Sequence, residues 1–507
     1  MGGMGPEKER TMNVKREKWI GAGLCLAVFL SMLLFFEVAH PLVILDADDW
    51  TYISQSRIAL PVTRFWNPAR ILPETLMPYA SELGVLLFGR LGYIRAITAM
   101  NGLVLSLFVC FYIRAFFRLL TDVLELEPGR SALLALLFLL LHFSIFRTAP
   151  DQNRYLFWSK DVTCVYYYVI PALLNCGLVM TLARTGLHRR FWEKKELAQK
   201  SLLVLASYLA IFSNLFESAI LAIWCGVELL LALVRERKRL RSAAFWREQS
   251  FSLAVVLLWL ISVWFEGSGG RGAVGGSLPF GMALGESFHT ALSFLGGIYV
   301  LVLLLMGAAL AALLLARLLR LLKAPERALC RTLLLPLVGL GALTLLFEIL
   351  LCAKVAPAYA GRSDVMFGVC FVLLAFTVLA IALLLRRWER LLVLLPLLLL
   401  VLYSVTDTQS RTFADSNDIL APAKVCTALD QNILDQVLAA EAAGEEQVTV
   451  HVFVSGSDDN WPHSVYLGDR VAASLYKHGL TSRLMEIEIL PDPQVNQSFH
   501  VLEEPAF

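Results

Sequence analysis

Apolar runs about 20 residues long recur along almost the whole of this 507-residue chain. Each is long enough for one helix to cross a hydrocarbon layer of ~30 Å. They lie near 19–40, 97–119, 131–148, 162–184, 198–213, 216–235, 247–265, 289–318, 332–352, 363–385 and 389–405. The expected fold class is therefore an all-α polytopic membrane protein of about eleven transmembrane helices. The pair 198–213 and 216–235 is open to a second reading as one long, broken helix. Composition agrees: 58% of the residues are hydrophobic, 17% are charged and the mean hydropathy is +0.66, outside the range of soluble domains. The first run is too long for a secretory signal and has no small-residue cleavage site after it, so a retained span is expected. The nine cysteines are scattered without a CxxC pair, which gives no sign of a disulfide framework or zinc site.

Eleven crossings put the two termini on opposite sides. With residues 1–18 as a cytoplasmic basic arm, 28 of the 44 Lys and Arg residues fall in cytoplasmic segments. The outer loops then hold 11 and the C-terminal tail 5. Basic residues favour the cytoplasmic side of a membrane protein, so the expectation is a multi-pass cell-membrane protein with its N-terminus inside and its C-terminus outside.

That orientation places the distinctive polar motifs on the outer face. The first is Asp46-Ala47-Asp48-Asp49-Trp50, just past the first span. Neighbouring carboxylates repel and raise one another's pKa, and at a membrane they commonly bind a cation, hold a substrate or move a proton. They open a long first outer loop, 46–96. Within it Trp50, Tyr52, Ile53 and Ile58 suggest a short interfacial helix, and Phe65 to Glu74 a surface-lying or re-entrant element. Arg70 and Glu74 are four residues apart and would share a helix face, although Pro73 works against a continuous helix there. The other outer motifs are Pro150 to Tyr155, Ser213 to Ser218, the glycine-rich Phe265 to Gly276, and Lys354 to Asp364.

Several of these motifs carry cations: Arg154 and Lys160, Arg271, Lys354 and Arg362. An outward acidic cluster with separate basic residues suits a lipid-linked phosphate. The cations would stabilise the departing phosphate while a carboxylate takes a proton from the attacking hydroxyl. Nucleotide donors are not available on that face, and there is no P-loop or strand-preceded GxGxxG pattern to hold one.

With the carboxylate motif at the start of the first outer loop, the interfacial segments after it and about eleven spans, residues 19–405 resemble the GT-C superfamily of integral-membrane glycosyltransferases. The resemblance is closest to bacterial cell-envelope transferases that use polyprenyl-phosphate sugars. It implies inverting transfer of a sugar to an envelope glycan, lipid or protein hydroxyl. One first-loop Asp would act as base: Asp49 or Asp48, with Asp46 the weaker candidate. Arg362, Lys354 and Arg154 would meet the donor phosphate, and Arg70, Glu74, Glu217 and Tyr359 would line the substrate site. No WWD-type motif of an oligosaccharyltransferase is present. No metal ligand set is implied, and a divalent cation is the one cofactor the Asp cluster leaves open. Membrane lipids are expected partners and nucleic acid is not.

Plainer readings stand beside these. The Asp cluster reads also as a solvated helix end, Arg362 as an ion pair with Asp364, and Glu217 as a helix cap. His40 and His142 read as structural, and Tyr166-Tyr167-Tyr168 as interface packing rather than a sugar platform. A transporter or flippase of lipid-linked sugar is the alternative function, and an envelope-assembly scaffold a third. A carrier needs charge reaching the membrane midplane, whereas a transferase needs it only at the outer face.

Residues 406–507 carry sixteen acidic and five basic residues. Val448 to Val454 and Ser482 to Leu490 read as strands, and Asp469 to His478 as a helix capped by Gly479. A small extracytoplasmic α/β domain is expected there. Asp458 to Trp461 reads as a turn rather than a calcium loop.

Overall fold

The structure is a computed structural model that describes residues 6–62, 66–146, 155–193, 197–269, 278–408 and 421–501. Helix α1 (Pro6–Leu34) ends in a π turn at Phe35–Ala39. Two helices of the first loop follow, α2 (Ala47–Tyr52) and α3 (Pro73–Phe88). Next come α4 (Tyr93–Asp122), α5 (Pro128–Ser144), a short α6 (Val162–Cys164) with a π turn at Val165–Val169, and α7 (Ile170–Thr185). The bundle continues with α8 (Leu197–Ile211), α9 (Leu215–Arg235), α10 (Ala243–Ser268), α11 (Phe280–Gly296) and α12 (Val300–Leu318). It closes with α13 (Ala324–Leu329), a π turn at Cys330–Leu334, α14 (Leu335–Val355), α15 (Phe367–Arg387) and α16 (Leu394–Thr408).

Among the described residues, eight helical stretches are long and apolar enough to cross a membrane, and α5 and α8 are shorter apolar helices. Two stretches form the centre. The apolar window of Val162–Thr185 is wholly buried, and that of Phe367–Arg387 is 83% buried. A helix that is apolar all round belongs in such a core, and peripheral spans turn most of their surface to lipid. Small residues allow the close approaches, because hydrocarbon surroundings give helices little hydrophobic reason to associate. A Cβ at Gly177 of α7 would collide with the Phe111 ring of α4, and one at Gly84 of α3 would lie 2.9 Å from the Ala96 carbonyl oxygen.

One expectation changes, and one open alternative is settled. The single span expected over 289–318 is two helices, α11 and α12, parted at Gly297 to Tyr299. Ile298 bridges Phe146, and the Tyr299 N–H donates to the Ile145 carbonyl. This holds the turn at the same end of the bundle as the end of α5. The middle of α11 lies against Gly361, at that same end. Thus α12 has the length and hydropathy of a span, while α11 runs beside the loops. The pair 198–213 and 216–235 is two separate helices, α8 and α9, with Asn214 capping α9 through its side chain on the Phe216 N–H.

The loops sort to two faces. One face carries α2, α3 and the segment linking α8 to α9, joined by a hydrogen bond from the Leu72 N–H to the Phe212 carbonyl. The opposite end gathers basic residues in ion pairs: Arg118 with Glu17 and Asp122, Arg184 with Asp122, Arg386 with Glu125, and Arg189 with Glu228.

Residues 421–501 form a small unit on the loop face. Helix α17 (Ala423–Ala442) precedes β1 (Gln447–Val452), α18 (Leu467–Lys477), β2 (Glu486–Pro491) and α19 (Pro493–Phe499). The strands pair in parallel with Gln447 opposite Glu486. Parallel strands need a crossover, which α18 supplies. Gly479 follows α18 at φ 73°, a left-handed position that suits glycine. Helix α17 lies outside the strand–helix–strand pattern read from the sequence. At Asp458 to Trp461 the chain makes a tight turn, Asp459 accepting from the Trp461 N–H and the Ser457 hydroxyl.

Candidate functional site

The Asp46 to Asp49 segment folds as the start of α2. Asp46 is the N-cap; its carboxylate accepts from the Asp48 N–H at 2.8 Å, and Asp49 completes a reciprocal capping box. Asp49 Oδ2 accepts from the Leu45 N–H at 3.1 Å and the Asp46 N–H at 3.4 Å. Its Oδ1 accepts from the Thr163 N–H at 2.6 Å and the Thr163 hydroxyl at 2.7 Å. Four donors thus occupy one carboxylate that is only 1% exposed, and the first loop is pinned to the start of α6.

A fourth carboxylate, which the sequence reading missed, joins this group. Asp161 caps α6 on the Cys164 N–H, is itself buried, and lies 3.6 Å from Lys160 Nζ. An Asp opening an apolar run is a readable N-cap signal, but its neighbours are a tertiary matter. Burial, then Asp161 and Asp49, push the Asp46 carboxyl up to about 9. Burial and Asp161 likewise push Asp49 up to about 7, against the pull of its Thr163 and Leu45 hydrogen bonds. Asp48 differs from these neighbours in being half-buried.

A second cluster is built on the same segment. The Arg362 guanidinium forms a two-pronged pair with Asp364, Nε to Oδ1 at 3.0 Å and Nη2 to Oδ2 at 2.7 Å. It lies over the Tyr168 ring at 4.8 Å and the Tyr359 ring at 5.1 Å from the centroids. Its Nη2 also reaches Cys164 Sγ at 3.2 Å. Asp364 accepts from the Ser159 hydroxyl at 2.5 Å. Arg362 is therefore paired with Asp364, as its plainer reading expected, and it adjoins the acidic group through Thr163 and Cys164.

Arg70 and Glu74 are near each other but do not share a helix face. Arg70 precedes α3 in a left-handed conformation, φ 62°, and Pro73 begins the helix. The Arg70 guanidinium pairs with Glu266 at 3.1 and 3.3 Å. Glu74 instead accepts from Arg57 Nε at 2.6 Å and the Tyr167 hydroxyl at 2.8 Å. Tyr167 joins the two, since Arg70 also lies 5.7 Å from its ring centroid. The π turn at Val165–Val169 sets adjacent tyrosines on different partners: Tyr166 on Asn101, Tyr167 on Glu74 and Tyr168 beneath Arg362. Such π turns often occur at functional sites.

Glu217 lies in the first turn of α9, fully buried, and neither carboxyl oxygen has a hydrogen-bond partner among the described residues. The same holds for Glu348 of α14, and Glu217 feels both Glu348 and Asp364. Glu217 is not a cap; Asn214 fills that role. Lys354 is exposed in the last turn of α14 and makes no ion pair with either cluster among the described residues. Arg154 and Arg271, like most of the glycine-rich loop, lie outside the described residues. His142 is held by Tyr112 and the Phe138 carbonyl in the core, in keeping with a structural role. Among the described residues, no three or more His, Cys, Asp or Glu side chains gather as a metal-holding group.

The small C-terminal unit sits on α2. Trp50 Nε1 donates to Asp430 at 3.3 Å, and the Ser474 hydroxyl reaches the Trp50 carbonyl at 2.6 Å. Lys477 Nζ donates to the Ser54 carbonyl at 2.5 Å, and the Tyr93 hydroxyl meets His478 Nδ1 at 2.8 Å. No protein-family model matches this sequence, and no curated protein does either.

Proposed function

We propose that the protein transfers a sugar from a polyprenyl-phosphate donor to a hydroxyl acceptor of the cell envelope, at the face that carries the first loop. The observation that carries this reading is the convergence of two opposite chemistries on residues 159–168. Asp49 is bound by Thr163, and Arg362 touches the next residue, Cys164. An acidic group and a cation backed by aromatic rings therefore contact two adjacent residues of the chain, Thr163 and Cys164.

Within this proposal Asp48 is the base. Asp48 is the most accessible of the three: Asp46 and Asp49 are 5% and 1% exposed, whereas Asp48 is half-buried. A carboxylate at the open edge of the acidic cluster is the one placed to meet an acceptor hydroxyl. As the acceptor oxygen attacks the anomeric carbon, the bond to the donor phosphate breaks and Asp48 takes the hydroxyl proton. Arg362 and Lys160 offset the charge on the departing lipid phosphate. Tyr359 and Tyr168 hold the guanidinium in place, and the Arg70, Glu74 and Tyr167 group fixes the neighbouring wall.

The fold proposed with this activity has eleven crossings: α1, α4, α5, α7, α8, α9, α10, α12, α14, α15 and α16. The basic face is then cytoplasmic and the C-terminal unit extracytoplasmic. One observation favours the alternative, a lipid-sugar carrier: Glu217 and Glu348 are buried carboxyls below the loop face. Glu348 lies seven residues before the end of α14, about 10 Å deep at the helical rise, which is short of the midplane. Purified protein in sealed liposomes separates the two. A transferase releases free polyprenyl phosphate from a matching polyprenyl-phosphate sugar in the presence of envelope extract. Donor movement between leaflets without release would establish the carrier instead.

A further inference from the structure

The opposite, basic end of the bundle holds a feature that sugar transfer does not use. A cavity of about 1040 Å³ opens between α4, α7 and α8, at the upper end of the size of large ligand pockets. Its walls are apolar, with Phe111 from α4, Leu178 from α7 and Leu203 from α8, and its rim carries Arg114, Arg184 and Arg190. These arginines are not equivalent. Arg184 pairs with Asp122 at 2.7 Å, although its Nε is buried without a hydrogen-bond partner among the described residues. Arg190 donates to the Thr185 carbonyl at 2.7 Å, and Arg114 reaches Cys25 Sγ at 3.6 Å. Neither Arg114 nor Arg190 has a carboxylate partner among the described residues, and both are exposed.

We infer that this cavity binds one anionic phospholipid of the adjoining leaflet, with its phosphate at Arg114 and Arg190 and its acyl chains along the walls of α4, α7 and α8. The cavity joins an apolar trough to uncompensated guanidinium groups at one end, and a lipid phosphate carries the matching pair of properties. Basic pockets between membrane helices on the cytoplasmic side bind acidic headgroups in this way, and guanidinium is well suited to phosphate. Leu107, Phe111 and Arg114 follow at helical spacing on α4, so one face of that helix serves both chain and headgroup. The inference rests on the proposed orientation only for the leaflet from which the lipid comes.

The test is native mass spectrometry of the full-length protein in detergent, titrated with dioleoyl phosphatidylglycerol or dioleoyl phosphatidylcholine. At least tenfold preferential retention of phosphatidylglycerol is expected. The double variant Arg114→Gln and Arg190→Gln should bring its retention down to that of phosphatidylcholine. Ala206→Trp, which fills the cavity without changing charge, should cut retention by a similar factor, so the result does not hang on one variant folding. Asp48→Asn should leave retention unchanged, which separates this site from the proposed transfer site. Equal retention of the two lipids, or full retention by both cavity variants, would overturn the inference. Preference for undecaprenyl phosphate that phosphatidylglycerol does not displace would overturn it too, and would point to a carrier.

Discussion

Thr163 donates twice to one oxygen of Asp49, from its backbone N–H at 2.6 Å and its hydroxyl at 2.7 Å, across 114 residues of chain. This contact ties the first loop to the central helix. Asp49→Asn replaces one acceptor oxygen by an amide that faces donors, so about 2 kcal/mol of stability should be lost. Thr163→Val keeps the backbone bond and should cost about half as much. Thermal unfolding of both purified variants checks the order; equal effects, or none, would remove Asp49 from its positioning role.

The raised carboxyls make stability depend on pH with a definite sign. Asp46 moves from 3.8 up to about 9 and Asp49 from 3.8 up to about 7, so the folded protein holds protons that the unfolded chain has released. Stability should therefore fall as pH rises from about 4 to about 9 and level off above that. Asp46 and Asp49 titrate as a coupled pair, so the loss is spread across the whole window rather than stepped at one pH. Asp46→Asn should flatten the slope. A midpoint that rises between pH 5 and pH 9 would contradict the arrangement.

Trp50 links the membrane part to the C-terminal unit through Asp430, whose carboxyl is pushed up by burial. Trp50→Phe removes the indole donor and leaves a buried carboxyl without it, at a cost of about 1–3 kcal/mol. Limited proteolysis should then release the C-terminal unit faster, with the membrane part still intact. Unchanged cleavage would show that the indole does not hold the two together.

Gly468 offers a test inside the C-terminal unit. A Cβ there would collide with the Ile487 carbonyl oxygen of β2, and backbone atoms yield little. Gly468→Ala should destabilise this unit by about 2 kcal/mol or more, read as faster hydrogen exchange in β1 and β2 with α15 unaffected. Wild-type exchange would mean that α18 and β2 are less closely packed.

The membrane class was legible because a ~30 Å hydrocarbon layer imposes runs of about 20 apolar residues. The break at Gly297 to Tyr299 was not, since Gly-Gly-Ile-Tyr is as apolar as a span; the bridge to Phe146 and the Tyr299 hydrogen bond to Ile145 mark it. The Asp46 to Asp49 turn was visible as a polar motif, and its capping geometry follows from local spacing. Its partners Thr163 and Asp161 come from more than 100 residues away, and packing alone selects them. Arg70 illustrates the same limit: its spacing to Glu74 suggested a shared face, while the fold pairs it with Glu266, 196 residues distant.

The proposed sugar transfer at the loop face requires Asp48 to take the acceptor proton. Release of polyprenyl phosphate from a panel of polyprenyl-phosphate sugars, by wild-type protein and Asp48→Asn with envelope extract as acceptor, tests it most directly. Turnover with at least one donor is expected, lowered about 10²- to 10⁴-fold in Asp48→Asn while the variant stays folded. No release from any donor, or release unaffected by the substitution, would contradict it.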